Sequence, residues 1–345
     1  MSTFLVTGGS GFFGGILQRK LLDAGHRVVN IDLQPDEQTH ERLTSIRGDI
    51  RDVKLLEKLA AEHRFDAIFH CAAVLAHAVK DENFLWTSNV DGTRNVAALA
   101  KSAKIPKLVS ISSNCLWAQN HGRPVTEDDA PAPVEIYGRS KWEGEKILRE
   151  FTGDTDVTVI RTPTIIEAGR LGLLAILFEF IDEGRKVWVV GGGKNVYQWC
   201  AAGDLAEACT LALGKSGSHV FNVGSDDVKS MADVYRSVIA RAQTGARVAS
   251  LPRGPAILGM KLAYALKMSP LGPYQYRMIA EDFVFDTSRI KAALGWRPTL
   301  TNEDMLLRAY EYYRKNRAEI EGRTDVSAHR QAASMGVIRL LKWLS

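Results

Sequence analysis

The stretch Phe4-Leu-Val-Thr-Gly-Gly-Ser-Gly-Phe-Phe-Gly-Gly15 determines the fold of this chain. Its short apolar run predicts a buried strand, and Gly8, Gly11 and Gly14 then lead into a helical pattern over residues 16–22. A strand that turns through glycines into a helix gathers free backbone N–H groups and the positive end of the helix dipole at one point. This arrangement suits a pyrophosphate group.

The surrounding sequence indicates that the pyrophosphate belongs to a dinucleotide. Gly8 allows the tight turn, Gly11 lets a diphosphate approach the backbone, and Gly14 lets helix and strand pack closely. A second apolar strand over residues 27–31 is followed by Asp32, at the distance expected for a carboxylate that accepts hydrogen bonds from the adenosine ribose. An ordinary glycine-rich loop is the alternative, but it would not need a strand on each side.

Size and composition are typical of a soluble globular protein. The 345 residues are 46% hydrophobic and 24% charged, and the net charge of +4 is too small to indicate nucleic acid as a partner. The four cysteines form no CxxC pair, so we expect neither a disulfide framework nor a metal site, and we expect a cytoplasmic location. Since the first strand is predicted to begin almost at once, we expect no signal peptide.

Strand and helix patterns alternate after the glycine stretch. Short apolar strands are predicted at residues 67–69, 107–111 and 157–160, with helical patterns over residues 89–100 and 137–150 between them. This alternation predicts an α/β fold, a doubly wound parallel sheet of the Rossmann type with helices on both faces.

The pattern changes after Pro163. Two strongly apolar helical candidates, residues 171–181 and 255–268, indicate a smaller C-terminal substrate lobe that is interleaved with the last strands of the sheet. The predicted units are residues 1–168 with 196–226 for the dinucleotide-binding domain, residues 169–195 with 227–322 for the substrate lobe, and residues 323–345 for a tail.

The tail is basic and amphipathic. Residues 323–345 hold four cations against one acid, and apolar residues at helical spacing lie opposite Arg339 and Lys342. Docking on protein is favoured, because amphipathic helices usually pack on protein. Pairing with a second subunit and peripheral contact with an anionic membrane are the alternatives.

A tyrosine and a lysine four residues apart form the candidate catalytic pair. Tyr137 and Lys141 fall on one face of a predicted helix, and a nearby ammonium lowers the pKa of a phenol by stabilising the phenolate. Such a tyrosine can exchange a proton with a substrate hydroxyl while a hydride moves to or from a nicotinamide. Ser112 and Ser113 end the preceding strand, where a hydroxyl can hold the substrate oxygen. In the alternative, Tyr137 is a half-exposed helix aromatic and the serines only cap a strand.

With these motifs the chain resembles an extended short-chain dehydrogenase/reductase of the NAD-dependent epimerase/dehydratase family, over about residues 3–315. Residues 7–14 are similar to the family's TGxxGxxG motif, and residues 48–52 to its adenine-binding GDxRD motif. Residues 70–73 resemble the segment that borders the cofactor ribose and phosphates, and residues 89–93 resemble NVxGT.

The resemblance implies roles for residues outside the glycine loop. Asp49 and Ile50 would contact the adenine, and Asn89 would support the active site. By the family pattern, Ser113 rather than Ser112 supplies the catalytic hydroxyl.

The resemblance also implies the cofactor. Asp32, with no Arg or Lys in the next two positions, implies NAD rather than NADP. Residues 161–164 lie where the family closes over the nicotinamide. The cofactor contacts that we predict are Gly8, Ser10, Gly11, Phe12, Phe13, Gly14, Asp32, Asp49, Ile50, Ala72, Ala73, Asn89, Ser112, Tyr137, Lys141, Pro163, Thr164 and Ile165.

Two departures from the family pattern concern the substrate. Tyr197 occupies the position of an arginine that pairs with the sugar diphosphate in many relatives, and tyrosine cannot supply that charge. Asn114 and Cys115 replace the acidic pair of the dehydratases, which argues against 4,6-dehydration. The substrate contacts that we predict are Ser113, Asn114, Tyr137 and Tyr197.

Three functions remain open from the sequence. The first is a nucleotide-sugar epimerase, and the second is a dehydrogenase or reductase of a hydrophobic, steroid- or isoprenoid-like alcohol or ketone. The third, less favoured, is a non-catalytic NAD-binding scaffold. The resemblance further implies a homodimer that pairs two helices from each copy.

Overall fold

The structure is a computed structural model that describes residues 1–75, 81–266 and 273–321. Within these residues the strands are β1 (Thr3–Thr7), β2 (Arg27–Asp32), β3 (Leu43–Arg47), β4 (Ala67–His70), β5 (Lys107–Ser113), β6 (Asp156–Thr162), β7 (Thr164–Ile166), β8 (Lys186–Val190), β9 (Trp199–Ala201), β10 (His219–Asn222) and β11 (Arg247–Leu251).

Helices cover both faces of the main sheet and form most of the C-terminal part. They are α1 (Phe12–Asp23), α2 (Val53–Glu62), α3 (Glu82–Asn89), α4 (Asp91–Ser102), α5 (Ile136–Glu150), α6 (Leu174–Asp182), α7 (Ala202–Ala212), α8 (Met231–Ala242), α9 (Arg253–Ala265), α10 (Pro273–Met278), α11 (Ser288–Leu294) and α12 (Asn302–Glu321).

The main sheet, as the described residues form it, has seven parallel strands in the order β10-β6-β5-β4-β1-β2-β3. The predicted Rossmann-type α/β fold is therefore confirmed. The strand order reverses between β1 and β4, which end at Thr7 and His70. In sheets of this kind ligands bind in the crevice outside the carboxyl ends at that point.

Close packing at this crevice requires glycine at two positions. A Cβ on Gly8 would lie 2.6 Å from the backbone of Ala72, and a Cβ on Gly14 would lie 2.0 Å from the carbonyl oxygen of Gly8. Gly8 also has a φ of +75°, which side chains rarely permit. The start of α1, the turn after β1 and the loop after β4 are therefore in direct contact.

A second hydrophobic cluster lies in the C-terminal part of the chain. Phe178 of α6 packs against Tyr310 of α12 with ring centroids 6.0 Å apart, and Val234 of α8 belongs to the same cluster. Strands β8 and β11 form a small parallel sheet, and β7 pairs with β9. The C-terminal part thus has its own core, while the domain bounds given above stay a prediction.

Three local features differ from the sequence analysis or lie beyond it. Strand β3 lies in a polar stretch where no strand is predicted, because as an edge strand it is largely exposed and carries little apolar pattern. The helix predicted over residues 89–100 is two helices, since α3 ends at Asn89 and α4 begins at Asp91. The predicted amphipathic tail, residues 323–345, lies outside the described residues.

The described residues lack two kinds of feature. Among the helices the structure describes, none is both long and apolar enough to cross a bilayer. The same part of the chain holds no group of His, Cys, Asp or Glu arranged to bind a metal ion.

The close packing around Gly14 predicts that one added methyl group lowers both the stability of the protein and its binding of a dinucleotide. In a Gly14→Ala variant the new Cβ must displace the Gly8 carbonyl, so we expect a loss of about 1–3 kcal/mol in unfolding free energy and loss of dinucleotide binding. Thermal unfolding and cofactor titration measure the two effects. Gly203→Ala on α7 is the control, because a Cβ there meets nothing within 4 Å. Equal behaviour of the two variants would contradict the packing argument.

Candidate active site

The carboxyl edge of the sheet brings Ser113 and Tyr137 together. Strand β5 ends at Ser113, and Gly138 lies so close to the Cys115 carbonyl oxygen that a Cβ there would be 2.3 Å from it. This approach sets the first turn of α5 against the residues that follow β5. The Tyr137 phenol lies near the Ser113 side chain, whose hydroxyl favours the phenolate, and Ser113 Oγ accepts the Cys115 N–H at 3.1 Å.

The pKa of Tyr137 differs from the expectation of the sequence analysis. Burial raises the pKa of the Tyr137 phenol above its ordinary value, and the positive charge of Arg170 opposes that shift. Burial also lowers the pKa of Lys141 to about 8, and the main charge that stabilises its ammonium is Glu145. The expectation that Lys141 lowers the pKa of Tyr137 is not met in the chain by itself, because burial outweighs the nearby charges and the cation that acts on the phenol is Arg170.

Arg170 is a site residue that the sequence analysis missed. Its guanidinium carbon lies 5.7 Å from the ring centroid of Phe12, at the start of α1. Burial lowers its pKa to about 10, so it stays protonated at neutral pH, and the charge it interacts with is that of Tyr137. Within the described ranges no carboxylate forms an ion pair with it. The residue lies in the turn after β7, where neither a motif nor a periodic pattern marks it.

A series of hydrogen bonds connects β1 to α4 below the crevice. The Nδ1 atom of His70 lies 2.7 Å from Thr7 Oγ1, and its Nε2 atom lies 2.9 Å from Thr93 Oγ1. Since Thr93 donates its own hydrogen to the Asn89 carbonyl at 2.6 Å, His70 Nε2 is the donor and Thr7 donates to Nδ1. Burial lowers the pKa of His70 to about 3, so the ring is neutral.

Asn89 holds two parts of the site in place. Its Oδ1 accepts the Val74 N–H at 2.7 Å, and its Nδ2 donates to the Val74 carbonyl and to Ser140 Oγ, each at 3.0 Å. Ser140 in turn donates to the Tyr137 carbonyl at 2.8 Å. The loop after β4 is thereby fixed to the first turn of α5, which agrees with the supporting role that the resemblance implies.

The glycine loop and Asp32 form a cradle that fits a dinucleotide. Asp32 accepts the Ser10 N–H at 3.0 Å and the Gln34 N–H at 2.9 Å, which holds the carboxylate at the end of β2 beside the loop. Burial raises the pKa of Asp32, and these backbone hydrogen bonds oppose the shift. Phe12 and Phe13 are buried at the start of α1, whose backbone N–H groups face the crevice end of the sheet.

The predicted adenine contacts lie farther along the same edge. Asp49 is paired with Arg51, whose Nη2 lies 2.6 Å from the carboxylate. Ile50 is buried against Gly92, where a Cβ would lie 2.5 Å from its side chain. Ala72 meets the glycine turn, as described above, and Ala73 follows it. The contacts of these residues with a cofactor stay a prediction.

Ser112 and Ser113 have different surroundings. The Ser112 side chain is buried, and its hydroxyl has no hydrogen-bond partner among the described residues. It lines a small cavity together with Lys141 and Asn89, whereas Ser113 lies near the Tyr137 phenol. The geometry therefore agrees with the choice of Ser113 as the catalytic hydroxyl, and a cofactor contact of Ser112 stays a prediction.

A cluster of neutral polar groups occupies the substrate side. Asn114 Nδ2 donates to Tyr197 Oη at 2.7 Å and to Tyr274 Oη at 2.9 Å, and the two hydroxyls are 3.0 Å apart. Burial raises the pKa of Tyr197 to about 12 and that of Tyr274 further, so both phenols stay protonated at neutral pH. The Tyr274 N–H also donates to Glu135, two residues before Tyr137. The sequence analysis named Asn114 and Tyr197 but not Tyr274.

The segment after β6 passes beside this cluster. Pro163 is buried, Thr164 is hydrogen-bonded to Tyr197, and Ile165 packs on the main core. These residues border the crevice through strand β7, which pairs with β9. Their predicted contact with the nicotinamide is not tested by these observations.

A buried ion pair fixes α5 to the sheet. Arg161 on β6 binds Glu145 through two contacts, Nε to Oε1 at 3.0 Å and Nη2 to Oε2 at 2.7 Å, and the side chains are 0% and 2% exposed. Arg161 also donates to the Glu127 carbonyl at 2.9 Å and lies over the Trp117 ring at 5.1 Å. Glu145 is one turn beyond Lys141, so the pair sets the position of the catalytic helix.

Comparison with known proteins identifies the family. The family model described as "NAD dependent epimerase/dehydratase family" matches residues 4–224. The chain belongs to this family. The predictions of the family, of an enzyme and of NAD as the cofactor are therefore confirmed, and the glycine cradle and Asp32 fit that cofactor.

Three similar proteins illustrate the range of the family. The chain is 35% identical to the uncharacterized protein y4nG of Sinorhizobium fredii, over 99% of this chain and 86% of that protein. It is 30% identical to N-acetyl-alpha-D-glucosaminyl-diphospho-ditrans,octacis-undecaprenol 4-epimerase of Escherichia coli O157:H7, over 63% of this chain and 66% of that protein. The solved structure of UDP-glucose 4-epimerase from Thermotoga maritima with UDP-glucose aligns with a TM-score of 0.75 and 22% identity, over 91% of this chain and 99% of the other.

The buried ion pair predicts a large loss of stability when one partner is neutralised. Glu145→Gln leaves the Arg161 charge buried without a counter-charge, so we expect a loss of about 3–5 kcal/mol in unfolding free energy. Thermal and denaturant unfolding measure the loss. The control is Glu150→Gln on the same helix, whose partner Arg94 is exposed and whose loss should be below about 1 kcal/mol. Similar losses in both variants would contradict the role of burial.

Proposed function

We propose that this protein is an epimerase that inverts a secondary alcohol carbon of a nucleotide sugar. The observation that carries the proposal is that the Ser113 hydroxyl and the Tyr137 phenol lie together at the carboxyl edge of the sheet, in a chain of an NAD-dependent family. The Thermotoga maritima and Escherichia coli proteins named above, both 4-epimerases, support the reaction type.

Two hydroxyl groups of the chain handle the substrate oxygen. Tyr137 Oη takes the proton of the substrate hydroxyl when the alcohol is oxidised and returns it when the carbonyl is reduced. Ser113 Oγ holds the same oxygen by a hydrogen bond, because it already lies within hydrogen-bonding reach of the phenol. When bound, NAD supplies the acceptor and later the donor of the hydride. The carbonyl compound must turn over between the two hydride transfers.

The proton on Tyr137 is controlled by charge. Burial opposes the phenolate, and Arg170 favours it. Because Arg170 has no carboxylate partner among the described residues, its charge is available to the phenolate as the proton leaves. We propose that Lys141, whose charge interacts with that of Glu145, binds the cofactor rather than setting the pKa of the phenol.

The substrate side suits an uncharged group. Asn114, Tyr197 and Tyr274 present an amide and two protonated phenols, and none of the three carries a charge at neutral pH. Such groups bind hydroxyls and carbonyl oxygens well, whereas a carboxylate or phosphate is better matched by arginine. We therefore place sugar hydroxyls, rather than the diphosphate, against this cluster.

A dehydrogenase or reductase of a hydrophobic alcohol is the second candidate. The presence of tyrosine instead of arginine at position 197 supports this candidate. The exposed apolar side chains of α9 also support it, since Leu258 and Leu262 are 61% and 53% exposed. The name of the Escherichia coli protein describes a substrate in which a sugar is attached to an undecaprenol through a diphosphate. A substrate of this kind would contain both the sugar of the first candidate and the lipid of the second. Only a one-way dehydrogenase would release NADH in step with product.

Removal of the phenol hydroxyl tests the proposed catalytic residue. Tyr137→Phe should lower kcat by about 10²–10⁴-fold, because no other group is placed to move the proton, while NAD content and Tm stay near those of the wild type. Activity, cofactor content and thermal unfolding are measured on the same preparation. Tyr235→Phe on α8, in the second core, is the control and should keep its activity. An active Tyr137→Phe enzyme would contradict the proposal.

The charge of Arg170 predicts a shift in the pH profile. A cation beside a phenol lowers its pKa, so Arg170→Met should raise the pKa of Tyr137 and move the rising limb of kcat to higher pH, by about one unit. At neutral pH this corresponds to about a tenfold lower kcat. Arg170→Lys restores the charge and should return the limb toward its original position. If the rising limb of the pH profile of kcat does not move in the Arg170→Met variant, the charge of Arg170 does not act on Tyr137 and the arginine has only a packing role.

Two further expectations remain proposals. We propose that the protein works as a homodimer and in the cytoplasm, as the family resemblance and the cysteine pattern suggest. Size determination in solution and cell fractionation address them directly.

A further inference from the structure

Helix α9 carries apolar side chains that no described residue covers. None of its residues is buried. Leu258, Leu262 and Leu266 follow at four-residue spacing and are 61%, 53% and 64% exposed, so they form one stripe. We call these three residues the α9 surface. Isolated exposed leucines are common, but a continuous apolar stripe indicates an interaction surface.

The segment that holds the α9 surface is cationic. Residues 252–280 contain no Asp or Glu and carry Arg253, Lys261, Lys267 and Arg277. Arg253 is paired with Glu281 beyond this segment, whereas Lys261 is exposed beside the stripe. An apolar helix face with a cation at its border is a feature of helices that lie in the headgroup region of an anionic membrane.

A second copy of the chain and the chain's own tail are two other possible partners of the α9 surface, and both have the wrong charge. A second copy that presented the same surface would bring two cationic segments together. The tail of this chain, residues 323–345, is also cationic, with four Lys or Arg against one Asp. Like charges across a contact are unfavourable, so charge complementarity selects an anionic partner. A lipid surface provides both the negative charge and the apolar layer that the leucine stripe requires.

We propose that the α9 surface docks on a membrane that contains anionic phospholipid. The stripe of leucines enters the headgroup layer, and Lys261 lies near the lipid phosphates. This inference requires no particular substrate and so does not depend on the proposed function.

The docking surface is connected to the substrate side of the crevice. Helix α10 packs on α9, with the rings of Tyr264 and Tyr276 at a centroid distance of 6.1 Å. From α10, Tyr274 reaches Asn114, the residue after Ser113. Docking through α9 therefore holds the substrate side of the enzyme near the lipid surface.

Sedimentation with lipid vesicles tests the proposal on the full chain. The probes are vesicles of phosphatidylglycerol and phosphatidylcholine in equal parts, and vesicles of phosphatidylcholine alone. We expect the wild type to sediment with the anionic vesicles and to stay in solution with the neutral ones. Leu258→Ser/Leu262→Ser should weaken binding about tenfold or more, and Lys261→Gln about fivefold.

A matched control lies on another exposed helix. Lys261→Gln/Leu262→Ser on α9 is compared with Val53→Ser/Lys54→Gln on α2, where Val53 is 47% exposed. Both changes remove one cation and one exposed apolar side chain, but only the α9 change should release the protein from the vesicles. Circular dichroism and Tm should stay unchanged in both variants, because the α9 residues are not buried.

Three outcomes would overturn the proposal. The first is a wild type that stays in solution with anionic vesicles. The second is an α9 serine variant that sediments as the wild type does while deletion of residues 323–345 abolishes binding, which would assign the contact to the tail. The third is an α9 serine variant whose size in solution falls to that of a monomer from a larger wild type, which would assign the surface to contact between copies.

Discussion

The buried ion pair between Arg161 on β6 and Glu145 on α5 is the interaction on which the active site depends. Neither charge can leave its partner without a large desolvation penalty, so α5 is held at one position against the sheet. Because Tyr137 is two turns before Glu145 on the same helix, its distance from Ser113 at the end of β5 is fixed by this contact. A second constraint, from Asn89 through Ser140, holds the first turn of α5 from the opposite side. The catalytic geometry is thus set by interactions that take no part in the chemistry.

The charges of the site are separated by role. The charge of Lys141 interacts with that of Glu145, whereas Arg170 is between the start of α1 and the phenol of Tyr137. The substrate side is neutral, built from an amide and two phenols. In the proposed reaction, this division lets the chain control one proton at Tyr137 while uncharged groups contact the rest of the substrate.

Sequence patterns predicted those features that follow from local rules. The turn after β1 was predictable because it combines an apolar strand, spaced glycines and an acid after the next strand, and the pair of Tyr137 and Lys141 followed from helical spacing. Arg170 and Tyr274 were not predictable, since they come from a turn and from a short helix that reach the site only in the folded chain. The pKa of Tyr137 was predicted in the wrong direction for the chain by itself, because burial depends on the whole fold. The apolar helix over residues 255–268 was predicted as a helix, but its exposure could not be read from composition.

In the proposed reaction Tyr137 moves one proton while a single hydride leaves the substrate carbon and returns to it. A nucleotide sugar, found by screening, that carries deuterium at the reacting carbon tests this reaction. Mass spectrometry follows the deuterium through many turnovers, and NADH absorbance is recorded in parallel. We expect that the deuterium stays in the epimerised product and that no NADH accumulates. A ketone product, with the deuterium in released NADH, would show that the enzyme does not return the hydride.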